Sequence, residues 1–207
     1  MRQRKKNRIY MQIATLTMVM VIVLVSVSVY TSKHDLKDGK ITRYLFTNKV
    51  EQYRSVVEKY AKEHEVEEHV DVLLAMMMQE SGGRGDDPMQ SSESLCGEVG
   101  CIDEPEKSIQ QGVAYFSKGL QAAEGDVELA VQAYNFGLGF VDYVQEKNKD
   151  FDEAVAIEFS QVMYQNAEDP SKYTCLRKEA KQHEACYGDI YYARDVMNYK
   201  HDFVAAN

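Results

Sequence analysis

The chain has 207 residues and a formal net charge of −9, with 24 Lys and Arg against 33 Asp and Glu. Five of the cations, Arg2, Arg4, Lys5, Lys6 and Arg8, crowd the first eight residues, and no acid occurs in the first 30. The remainder is therefore more acidic than the total suggests. This argues against nucleic acid as the main partner, because phosphate binding needs clustered cations on the folded part. Three Pro and 12 Gly exclude collagen-like and low-complexity chains, and 44% hydrophobic content allows one ordinary domain with extensions.

Residues 1–8 read as a cytoplasmic basic segment. Ile9 to Tyr30 is an uncharged apolar run of 22 residues, enough for a helix across a bilayer core. With the cations in front of it, everything after Tyr30 is expected outside the cytoplasm. A cleaved signal peptide competes with a retained anchor. Its apolar region would be about 7–15 residues and end in a small-residue cleavage site, for which Ser26-Val27-Ser28 is a weak candidate, so a retained anchor over 9–30 is expected. Residues 31–48 are polar and of mixed charge, a stalk, and residues 49–207 are expected to form the folded domain.

Val50–His64 predicts a charged amphipathic helix. Val70, Leu73, Leu74 and Met77 recur at helical spacing and predict a second helix ending near Ser81-Gly82-Gly83. Arg84–Glu104 is a long loop rich in Gly, Ser and acids, of a length that is usually functional or disordered. Ser108 to Gln111 resembles a capping box opening a helix to about Ala123. Asp126 is placed to cap a helix carrying Val127, Ala130, Val131 and Tyr134, stopped by Gly137 and Gly139. Helices are also expected over Phe140–Glu146, Asp152–Ala167 and Asp189–Tyr199. With no alternating strand and no internal repeat, the expected fold class is mainly α, with one conspicuous loop behind an N-terminal transmembrane helix.

Cys96, Cys101, Cys175 and Cys186 are an even set in a chain read as exported, which favours disulfides. Four cysteines allow three connectivities, and the local pairs Cys96–Cys101 and Cys175–Cys186 are expected because each closes a short loop. A zinc site is disfavoured by the C-x₄-C and C-x₁₀-C spacings. His64-Glu65-Val66-Glu67-Glu68-His69 fails as a metalloprotease motif, whose histidines are four apart rather than five. The run Met76–Met78 reads as core filling.

Glu80 is the residue with chemical promise. At 100° per residue it falls about 20° from Leu73 on the helix wheel, so a carboxyl sits on the apolar face at the helix C-terminus. Desolvation and the negative end of the helix dipole both disfavour its anion and raise its pKa. A carboxylic acid protonated near neutral pH is what cleavage of a glycosidic bond requires, because the leaving oxygen must receive a proton. The bland alternative is a glutamate pointing into solvent or paired with Arg84. Tyr134 could equally end an apolar stripe, Asn135 could serve the helix end, and Gln90 to Ser94 could be plain turn chemistry.

Gln79-Glu80-Ser81-Gly82-Gly83, then Asp87-Pro88-Met89-Gln90-Ser91-Ser92, then Ala133-Tyr134-Asn135-Phe136-Gly137 form an ordered set that resembles the lysozyme-like superfamily of goose-type lysozymes and lytic transglycosylases. The wording is most similar to the CwlT-like lysozyme domains of Gram-positive cell-wall hydrolases. The resemblance spans roughly Val50–Tyr199 and implies a lysozyme-like helical fold with a long active-site loop. It makes Glu80 the general acid. Ser81 would orient it or bind sugar. Met89, Gln90 and Ser91 would line the floor of a glycan cleft, and Tyr134 and Asn135 its opposite wall. Tyr192 matches the tyrosine of the family's closing helix. CwlT-like proteins often carry an endopeptidase domain as well, and none is expected within the residues up to Asn207.

The resemblance implies an enzyme that cleaves peptidoglycan glycan strands without a cofactor or metal, anchored in the membrane and facing the cell wall. Hydrolysis as an N-acetylmuramidase needs a second carboxylate to place water; Asp86, Asp87 and Glu93 lie in the right loop, and Asp87 tilts the reading that way. A lytic transglycosylase needs only the one acid and yields 1,6-anhydro products. A non-catalytic wall-binding or assembly factor of a conjugation or secretion system is the non-enzymatic alternative.

Overall fold

The structure is a computed structural model that describes residues 40–147 and 150–204. The expected membrane anchor at 9–30 lies outside the described residues, and among those described no helix is long and apolar enough to cross a membrane. The chain divides into two units, Met1–Leu45 and Phe46–Asn207, and the second carries every described helix but the start of the first.

Among the described residues the regular structure is entirely helical. The helices are α1 (Lys40–Glu51), α2 (Arg54–Glu63), α3 (Val70–Glu80), α4 (Ser92–Cys96), α5 (Pro105–Ala122), α6 (Val127–Phe136), α7 (Gly139–Glu146), α8 (Glu153–Gln165), α9 (Lys178–Gln182) and α10 (Tyr192–Val204). Helix α1 begins inside the segment read as a stalk, and a break at Gln52 and Tyr53 divides the helix expected over Val50–His64 in two.

Helix α3 is the axis of the domain. Eight of its eleven residues, from Val70 to Met78 with only Asp71 excepted, are buried. A helix that is apolar all round must be enclosed, and α2 and α10 pack against it. Met76 and Met77 are fully buried, as core filling requires. Helix α10 also packs on α6, α5 joins α2 to α6, and α7 follows on α6. Phe136, Phe140 and Phe159 tie α6, α7 and α8 together, with ring centroids 4.9–5.3 Å apart, a spacing at which tilted and edge-on rings attract.

The helix boundaries follow local chemistry. Asp126 accepts a hydrogen bond from the Leu129 N–H at 3.0 Å and caps α6 as expected. Asp152 does the same for α8 through Val155 at 2.8 Å. Helix α5 starts three residues earlier than the Ser108 box suggested, because Pro105 occupies its first turn, where a missing N–H costs nothing. Helix α10 starts three residues later than expected, at Tyr192. The long loop is interrupted by α4 and closed by the disulfide Cys96–Cys101, and Cys175–Cys186 encloses α9. Both cysteine pairs are thus the local ones.

Candidate active site

Three elements converge on Glu80. It is the last residue of α3 and half-buried. The buried Tyr192 hydroxyl, from the first turn of α10, donates a 2.6 Å hydrogen bond to its Oε1. Burial pushes the Glu80 carboxyl up, the Tyr192 bond pulls it back, and the negative charges of Asp87 and Asp189 push it up again, leaving its pKa at about 7. Tyr134 and Tyr192 are themselves held far above their ordinary range, chiefly by burial and then by the Glu80 charge, so both remain hydroxyl donors. Arg84 does not pair with Glu80. Its guanidinium donates to the Ser81 carbonyl and lies 4.8 Å from the Phe46 ring centre.

Glu80 opens into a cavity of about 310 Å³ lined by Asp87, Gln90, Ser92, Glu93, Val99, Tyr134 and Asn135. A second cavity of about 270 Å³ shares Gln90, Glu93, Tyr134 and Asn135 with the first and continues past Ser91, Tyr115, Phe136 and Tyr187. Together they make one groove, polar beside Glu80 and aromatic further along. Such a lining suits sugars, which offer hydroxyls to amides and flat C–H faces to rings.

Asp87 shares the first cavity with Glu80 but its pKa is pushed the opposite way. Burial alone would raise its pKa. The hydroxyls of Ser108 (2.6 Å) and Ser92 (2.6 Å) and the N–H groups of Ser91 and Ser92 outweigh that and hold the carboxyl below its ordinary range. Ser108, read as a helix cap, is therefore a ligand of this carboxylate, and its hydroxyl also accepts the Met89 N–H at 3.0 Å. The loop is held by Asp87 and its serines rather than by apolar contacts alone.

The remaining expected residues divide into those on the groove and those behind it. Gln90, Tyr134 and Asn135 line both cavities, and Ser91 lines the second. Gln90 adopts φ +47, an uncommon backbone state for a non-glycine residue, and its side-chain amide donates to the Asp87 carbonyl at 2.8 Å. Tyr134 donates to the Met89 carbonyl at 2.9 Å and stands edge-on to Tyr115. Met89 does not line either cavity. Its side chain is fully buried against Gly112, where an added Cβ would meet the Met89 sulfur at 2.7 Å. Ser81 is buried too; it donates to the Pro88 carbonyl at 2.7 Å and accepts from the Arg84 N–H, bracing the loop. The residue that orients Glu80 is Tyr192, not Ser81. Asp86 is exposed and off the groove, whereas Glu93 lines both of its cavities.

Ser92, Ser108, Tyr115, Val99 and Tyr187 were not assigned to the site from the sequence, although Ser92 stands in one of its motifs and Ser108 was read as a cap. For two of them a signal existed: Ser108, Gln111 and Tyr115 recur at i, i+3 and i+7, a polar strip on α5 that faces the loop, where Gln111 donates to the Ser94 hydroxyl. Among the described residues no three His, Cys, Asp or Glu side chains cluster as a metal site.

With this geometry in place, the comparison with known proteins is direct. The sequence profile of the lysozyme-like family matches residues 47–200. The chain belongs to the lysozyme-like family. Within it, the chain is similar to the bifunctional muramidase/DL-endopeptidase CwlT of Bacillus subtilis, 38% identical over 162 residues, which are 78% of this chain and 45% of CwlT. It is 32% identical over 159 residues to the B. subtilis membrane protein YocA, of uncharacterized role, covering 75% of this chain and 70% of YocA. The crystal structure of a Staphylococcus aureus protein described as similar to a lipoprotein of the NLP/P60 family superposes with a TM-score of 0.64 at 34% identity, covering 73% of this chain and 52% of that one. The chain thus spans about half the length of CwlT and of the S. aureus protein.

Two predictions test the electrostatics of this lysozyme-like site. Between its ordinary 4.5 and about 7, Glu80 keeps in the folded state a proton that the unfolded chain has released. Stability therefore falls as pH rises through that window, by about 3 kcal/mol in all. Glu80→Gln removes this titration, so denaturant unfolding at pH 5 and pH 8 is expected to show a shallower pH dependence than wild type and a more stable variant at pH 8. Asp87 has the opposite sign: its lowered pKa stabilises the fold above the ordinary carboxylate pKa, and that contribution is lost as pH falls through the folded-state value. Ser108→Ala is expected to raise the Asp87 midpoint in a carboxyl NMR titration and to cost about 1–2 kcal/mol at pH 7, with the deficit shrinking as acid protonates Asp87.

Proposed function

We propose that the chain cleaves peptidoglycan glycan strands as an N-acetylmuramidase, acting on the β-1,4 bond between N-acetylmuramic acid and N-acetylglucosamine. The observation that carries this reading is the half-buried Glu80 carboxyl with its pKa at about 7, facing a groove lined by amides, hydroxyls and tyrosines. Protonated Glu80 gives its proton to the glycosidic oxygen as the bond breaks. Tyr192 holds one carboxyl oxygen, and the other faces the leaving group. Gln90 and Asn135 hydrogen-bond the sugars, Tyr134 and Tyr187 pack on their faces, and Ser91 braces the groove floor through the Ser108 carbonyl. No cofactor or metal enters these steps. The muramidase activity for which CwlT is named supports the choice of substrate.

A specific observation also favours the lytic transglycosylase reading. The Asp87 carboxylate already accepts from Ser91, Ser92 and Ser108, so it is poorly placed to activate water, and that task in a hydrolase falls to Glu93. Where Glu93 activates no water, Glu80 first gives its proton to the leaving oxygen, and its carboxylate then takes the proton of the substrate's C6 hydroxyl as that oxygen attacks the anomeric carbon.

We further propose that Ile9–Tyr30 anchors the domain on the outer face of the membrane. The basic residues ahead of that run, the two disulfides and the similarity to a protein named as a membrane protein support this. No oligomeric state is proposed.

The test is a digest of purified peptidoglycan by wild type and Glu80→Gln, read by mass spectrometry of the released muropeptides. Wild type is expected to release reducing-end muropeptides, and Glu80→Gln to be slower by about 100-fold or more. Products lighter by one water replace the muramidase with the transglycosylase. Equal release by both proteins removes Glu80 as the acid, and wall binding without release by either leaves the non-catalytic wall-binding role.

A further inference from the structure

The segment that precedes α10 carries a charged network outside the groove. Asp189 is 5% exposed. Its main-chain N–H donates to Asn135 Oδ1 at 2.7 Å, which fixes the amide of a residue that lines both cavities. Its carbonyl accepts from Gln132 Nε2 at 2.8 Å and from the Tyr192 N–H at 3.1 Å. Its carboxylate accepts the Tyr191 N–H at 3.0 Å, one residue before α10 begins. One residue thus fixes both the groove wall at Asn135 and the first turn of the helix that delivers Tyr192 to Glu80. The close approach to α6 needs Gly188, which has φ +61 and whose added Cβ would lie 2.7 Å from Asn135 Oδ1 and from the Phe136 ring.

A buried carboxylate needs a counter-charge and hydrogen bonds, and Arg177 supplies both. Its Nε donates to Asp189 Oδ1 at 2.7 Å and its Nη2 to Asp189 Oδ2 at 2.6 Å, a bidentate pair, while Nη2 also reaches Asp195 Oδ2 at 2.6 Å. Arg177 lies in the loop closed by Cys175–Cys186 and does not line either cavity of the groove.

We infer that Arg177 is a positioning residue of the Glu80 site, acting through Asp189 on Asn135 and Tyr192 from the loop that Cys175–Cys186 closes. The inference rests on the proposed role of Glu80. The titratable groups that face Glu80 are Tyr192 from α10, Tyr134 from α6, Asp87 and Glu93 from the long loop and α4, and Asp189 ahead of α10. Without the Arg177 charge, Asp189 is uncompensated and Tyr192 is less firmly held. Both changes act in one direction: each favours the protonated form of Glu80.

The experiment is a carbon-13 NMR titration of the Glu80 carboxyl in wild type, Arg177→Ala and Arg177→Lys, beside the pH dependence of kcat on peptidoglycan. Arg177→Ala is expected to move the Glu80 midpoint and the basic limb of the rate profile up by about half a pH unit, the effect of one bare charge on the order of 10 Å away in a mixed protein and water dielectric. Arg177→Lys, which keeps the charge, is expected to return most of that shift. Should Arg177→Ala not fold, Arg177→Gln is read in the same way. A folded Arg177→Ala or Arg177→Gln with an unmoved midpoint overturns the inference and leaves Glu80 as the acid. A wild-type midpoint in the ordinary carboxylate range overturns the role of Glu80 itself, which is a separate result.

Discussion

A hydrogen bond between residues 112 positions apart, from the Tyr192 hydroxyl to Glu80, joins the end of the buried central helix to the start of the closing one. Both helices must stop where they do for it to form. Helix α3 ends because Gly82 and Gly83 take positive φ, and α10 begins because Asp189 holds the chain just ahead of it. The carboxyl is buried enough to resist ionisation, yet one face remains open to the groove. The Tyr192 bond lowers the Glu80 pKa in part, so the acid is moderated as well as oriented.

Two carboxyls in one cavity have their pKa values pushed in opposite directions because their donors differ. Glu80 accepts from one hydroxyl, that of Tyr192, and is otherwise dominated by burial. Asp87 has hydroxyl and N–H donors from Ser91, Ser92 and Ser108 and stays an anion. Its charge then favours the proton on Glu80, the separation of roles by environment that acid catalysis by carboxyl pairs relies on. The serine-rich loop therefore has an electrostatic task beyond covering the groove, and the disulfide Cys96–Cys101 closes its far end.

Much of this was legible in the residues, because it was local. The period of Val70, Leu73, Leu74 and Met77 located α3 and its Glu80 end, the Asp126 cap located α6, and loop length chose the cysteine pairs. What failed was the direction of side chains within a motif and the pairing of distant ones. Met89 and Ser81 stand beside groove residues in sequence but face inward, and their motif does not reveal on which side of the loop each points. Ser108 carries the pattern of a cap, yet Pro105 starts the helix earlier and frees the hydroxyl for Asp87. Asp189 was read as helical, whereas its carboxylate accepts from Arg177 and from the Tyr191 N–H just ahead of α10. Helix α1 reaches back into a segment that was read as a polar stalk, although Ile41, Tyr44 and Leu45 there stand at helical spacing.

A lysozyme-like groove of this kind needs little machinery beyond a proton donor that is still substantially loaded near neutral pH, and that property is directly measurable. A carbon-13 titration of the Glu80 carboxyl in the wild-type protein is predicted to show a midpoint near 7. A midpoint near its ordinary 4.5 would mean that the carboxyl is an anion at neutral pH with no proton to give, and would contradict the proposed acid.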